Sequence, residues 1–100
     1  MLEKLSASTF EPLTEQAFKL EHETWPDDVE ARLIEVHPMS ESAAESSGRA
    51  SFSLLFACPN LDETLQAVFR LKHDITGELD VFLVPVGRDE RGLLLEAVFN

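Results

Sequence analysis

The chain has 100 residues, 44% of them apolar and 27% charged, with only four Gly and five Pro. That suits a single domain, spanning residues 1–100, that buries roughly two thirds of its surface, and excludes a disordered or collagen-like chain. Its 19 acidic against 8 basic residues give a net charge of −11 shared by both halves, a field that repels phosphate backbones and anionic lipid, so neither nucleic acid nor membrane is an expected partner.

In chain order, the first predicted element is a short helix over about 6–14. Ser8 with Glu11 three residues on has capping-box spacing, and Pro12 is tolerated only in a first turn. From Gln16 to Glu23, Phe18 and Leu20 alternate with Lys19 and Glu21, the period of a half-buried strand. Trp25, Pro26, Asp27 and Asp28 read as a turn. Val29 to Met39, rich in β-branched and aliphatic residues, reads as a second strand. The Ser-rich stretch over about 40–49 lacks any apolar period and is expected to be a mobile loop.

Ser51 to Cys58 is a third strand, stopped by Pro59 and Asn60. The next piece is ambiguous, because Leu61, Leu65, Val68 and Phe69 have helical spacing while Val68 to His73 alternates. A turn through Leu65 followed by a strand from Gln66 to His73 is the preferred reading. The turn Asp74 to Gly77 leads into a strand from Glu78 to Val86, and Gly87 to Gly92 leads into another from Leu93 to Phe99. The fold class is therefore mainly β: a small six-stranded antiparallel barrel or sandwich with a short N-terminal helix.

Several strands are apolar on both faces. Leu54 and Phe56 oppose Leu55 and Ala57; Val81 and Leu83 oppose Phe82 and Val84; Leu93, Leu95, Ala97 and Phe99 oppose Leu94 and Val98. An antiparallel sheet with one wet face needs polar alternates, so something is expected to cover the second face. Leu2, Leu5, Phe10 and Leu13 are the candidates for a lid over part of it. Leu55, Phe82, Val84, Leu94 and Val98 are the candidates for a partner-binding or homodimer patch.

No other constellation reads as chemistry. His22, His37, Cys58 and His73 lie singly on four elements, without the paired spacing that brings metal ligands onto one face. His22 and His73 are expected to cap the core at strand ends, and Cys58 to be a buried structural thiol. Glu21, Glu23, Asp27, Asp28 and Glu30 crowd one turn, in neither calcium-loop order nor a buried carboxylate pair, so a solvated acidic rim is expected. Nucleophile elbow, phosphate loop and zinc-helix motifs are absent. Neither a metal nor a cofactor is expected. The single cysteine allows no internal disulfide, and Glu3 and Lys4 precede a polar stretch instead of a signal-peptide core; both predict a cytoplasmic protein.

Phe52-Ser53-Leu54-Leu55-Phe56, Arg70-Leu71-Lys72-His73, the run from Gly77 to Gly87 and the closing Glu96-Ala97-Val98-Phe99-Asn100 together resemble a bacterial family, domain of unknown function 6916. Leu5, Phe10, Glu11, Pro12, Leu13 and Phe18 fit the same pattern. The resemblance implies a small stand-alone bacterial protein, accessory to proteins similar to phage tail collar proteins. It carries no catalytic residue, cofactor or substrate across. Two positions depart from the family: Glu15 stands where members usually have a glycine before the first strand, and Asp62-Glu63-Thr64 replaces a turn richer in Gly and Pro. The function expected is a non-enzymatic acidic interaction or structural module. The alternatives are a barrel that carries a small apolar ligand and an acidic decoy that binds a basic protein.

Overall fold

A computed structural model describes residues 7–38, 52–61 and 65–99. Helix α1 (Ala7–Phe10) runs directly into a 3-10 turn over Glu11–Leu13. Pro12 has no N–H with which to continue an α-helix, so the helix tightens where the proline enters. Ser8 lies inside α1 instead of before it, so Ser8 and Glu11 are not placed as cap and third residue. The Thr14 N–H and Oγ1 both donate to the Glu11 carbonyl, at 3.2 and 2.8 Å, and end the turn.

Six strands follow: β1 (Ala17–Glu21), β2 (Val29–Pro38), β3 (Phe52–Cys58), β4 (Ala67–His73), β5 (Gly77–Asp89) and β6 (Gly92–Phe99). They close in the order β1-β2-β3-β6-β5-β4, with β4 returning to β1 and every pairing antiparallel. The architecture is thus a barrel, not a sandwich. The ambiguous segment is a strand from Ala67, not a helix. The predicted loop over 40–49 lies outside the described residues.

Closure points one set of alternate side chains inward. Phe18 and Leu20 of β1, Leu33 of β2, Leu54 and Phe56 of β3, Phe69 and Leu71 of β4, Leu83 of β5 and Leu93 and Leu95 of β6 are all essentially without solvent contact. Phe18 meets Phe56 edge-on with ring centroids 5.5 Å apart. Burying such side chains gains roughly 1.5–3 kcal/mol each, which offsets the ordering of a mostly non-local sheet.

Both ends are plugged by aromatic groups. At the end where β3 starts and β6 finishes, Phe52 and Phe99 stack at 4.7 Å, and Phe10 of α1 lies 5.8 and 6.0 Å from them. Phe10 and Leu13 therefore belong to the barrel's own core, a placement different from the expected cover over the outer face. A phenylalanine contact of this kind gains more at the wet mouth of a barrel than on its convex wall, where fewer neighbours surround it. Leu2 and Leu5 lie outside the described residues. At the opposite end, His22, Trp25 and Phe69 form a ring cluster with centroids 5.1–5.5 Å apart.

Candidate functional site

The outer wall is where sequence and solvent disagree. The hairpin register sets Val68 of β4 opposite Phe82 of β5; Val84 of β5 faces Glu96 of β6, and Glu96 faces Leu55 of β3. Side chains repeat on one face every second residue, so Phe82 and Val84 share that wall with Leu94, Glu96 and Val98. Val68, Phe82, Val86 and Val98 are 58%, 51%, 52% and 50% exposed. Leu55, Val84 and Leu94 are half-buried. The five patch candidates from the sequence are thus brought together on one surface of β3, β6 and β5, which Val68 extends to β4.

Two small residues complete it. Ser53 pairs with His37 and Val98, and Ala57 with Arg32 and Leu94. Both are buried. Val68 and Val86 are additions that the sequence reading missed. Val68 follows from the three-residue turn Asp74–Thr76, which fixes the register of β4 against β5 and sets it beside Phe82. Val86 is the next outward position after Phe82 and Val84 by alternation, and the β5–β6 register shifts only at this residue, between Pro85 and Gly87. A groove of about 540 Å³ opens at this shift, lined by Gln66, Pro85, Gly87, Arg88 and Leu93.

Charge frames the apolar wall. Arg70 bonds Asp80 at 3.3 Å beside the Val68–Phe82 pair. His37 contacts Glu35, and Arg32 donates to the Glu15 carbonyl at 2.9 Å on the β2 side. Arg88 donates to the Leu61 carbonyl at 3.3 Å. The Arg70 guanidinium is held above its ordinary range by its hydrogen bond to Asp80, followed by the negative charge of Asp80 and Glu78.

The remaining candidate groups are spread around the barrel. The His73 ring lies tilted against Phe18 with centroids 4.5 Å apart and pairs with Gln16 Oε1 at 2.9 Å. His22 contacts Thr24 Oγ1 at 2.8 Å. Cys58 is buried in the core, and burial first, then the negative Glu30, pushes its thiol up to about 12, so it is held as a neutral thiol. Of the acidic turn, Glu21 and Asp28 both hold Lys72, at 2.8 and 3.1 Å, and tie β4 to β1. Among the described residues no three His, Cys, Asp or Glu groups are arranged to hold a metal ion. No helix among them is long and apolar enough to cross a membrane.

The molecule is therefore of a definite class: a small, closed, antiparallel β-barrel, filled by its own side chains and apolar on one side of its outer wall. The chain belongs to the family described as domain of unknown function 6916, which matches it over residues 5–99. No curated protein and no solved structure matches it.

Proposed function

We propose that the protein is a non-enzymatic interaction module of the bacterial cytoplasm that binds another protein through the β4–β5–β6–β3 wall. The observation that carries this reading is the clustering of Val68, Phe82, Val86 and Val98, each at least half exposed, on one side of a chain of net charge −11. Single exposed apolar residues are ordinary on any protein; a contiguous group rimmed by polar side chains marks a contact surface. Supporting this over a carrier of an apolar ligand is the interior, where Phe18, Phe56 and Phe69 are buried and about eight strands are needed before one ligand fits.

A photo-crosslinking amino acid in place of Phe82, and separately in place of Val98, tests the reading in the protein's own cells. Ile75 is the matched control: it is 71% exposed but stands alone in the β4–β5 turn. Discrete adducts are expected from positions 82 and 98 and not from 75. Equal labelling from all three positions would mean that the wall is no more of a contact surface than a solitary apolar side chain.

A further inference from the structure

Glu96 is the anomaly of the apolar wall. Its cross-strand neighbours are Val84 and Leu55, and two residues before and after it on β6 stand Leu94 and Val98. All four nearest outward positions are apolar, and Glu96 is itself half-buried among them. No cation among the described residues comes within ion-pair distance of it. The neighbouring arginines are already engaged: Arg70 with Asp80, Arg32 with Glu30 and the Glu15 carbonyl, Arg88 with the Leu61 carbonyl.

We infer that the partner of this wall is a different protein whose contact surface is apolar with a lysine or arginine set to meet Glu96. This rests on the wall being a contact surface and adds what covers it. Covering the wall with a purely apolar surface would strip water from a carboxylate and give nothing back, a cost that removes most of the gain from the valines and leucines around it. A cation at that point returns the lost solvation as a desolvated ion pair. A second copy of this chain is the poorer occupant. In a two-fold interface the same patch faces itself, so two copies of Glu96 approach near the axis, and two bodies of net charge −11 repel as they meet. A cationic apolar partner gains from both the local and the overall field.

The crosslinker at position 82 reads this out in the full chain, combined with Glu96→Gln and Glu96→Lys. Glu96 points outward, so both variants are expected to keep the wild-type melting temperature, checked before crosslinking. Glu96→Lys is expected to lower the adduct yield by roughly tenfold or more, since a like charge then faces the partner's cation. Glu96→Gln is expected to lower it less and to weaken its decline between low and moderate salt. Adduct formation indifferent to Glu96→Lys overturns the cation while leaving the contact surface standing. An adduct of twice the chain's mass, joining two copies, overturns the choice of partner. No adduct from position 82 in the unmutated chain removes the surface itself, and this inference with it.

Discussion

Glu15 carries the one positive φ among the described non-glycine residues, +73°. Its N–H donates to the Leu33 carbonyl at 2.6 Å and its own carbonyl accepts from Arg32 at 2.9 Å, so the backbone is held in the left-handed region by partners on β2. An L side chain there costs about 1–2 kcal/mol, against roughly 0.4–1 kcal/mol of added unfolded-state freedom when glycine replaces it. Glu15→Gly is therefore expected to stabilise the protein by about 0.5–1 kcal/mol, read as a rise of a few degrees in melting temperature. A decrease would mean that the Glu15 side chain itself supports the turn.

At the scale of elements, the two hairpins of β4–β5–β6 use glycine for different reasons. Gly77 has φ +75° with open space where a Cβ would stand, whereas at Gly92 (φ +118°) a Cβ would lie 2.5 Å from the Cys58 carbonyl oxygen and 2.6 Å from the Pro59 Cα. Gly77→Ala is expected to cost about 1 kcal/mol from the dihedral alone. Gly92→Ala adds a backbone clash and is expected to cost about 3 kcal/mol or more, by denaturant unfolding. Comparable losses at both would show that the chain around β3 yields to the methyl group. All six strands were legible in the sequence, β1 and β4 from alternation and the others from runs of β-branched and apolar residues, each with a turn or proline at its end. What was not legible depends on contacts distant in the chain. The β4-to-β1 ladder, with Leu20 opposite Leu71, decides barrel over sandwich, and no local pattern encodes it. The destination of Phe10 is set by Phe52 and Phe99, more than 40 residues further along. Of the wall, the five residues on β3, β5 and β6 were visible as apolar alternates. Val86, the last residue of the predicted strand, has the parity of Phe82 and Val84 and was equally readable, whereas the isolation of Glu96 required the register of three strands at once.

The molecule as a whole carries 19 acids against 8 bases. The ion pairs among the described residues sit mostly on exposed groups, where each contributes little, so self-repulsion is expected to outweigh them at low ionic strength. Melting temperature is expected to rise between low and moderate sodium chloride as the Debye length falls to about 10 Å. A steady fall over that range would mean that favourable pairs, such as Lys72 with Glu21 and Asp28, dominate instead. The closed ladder has one more consequence. An open sheet with this much exposed valine and phenylalanine would offer unpaired backbone to any extended chain and seed fibrils. Here each of the six strands has a neighbour on either side, so no edge strand accompanies the apolar wall. A partner there finds no open edge strand to extend, and the protein can keep an apolar face on show in a crowded cell without templating its own aggregation.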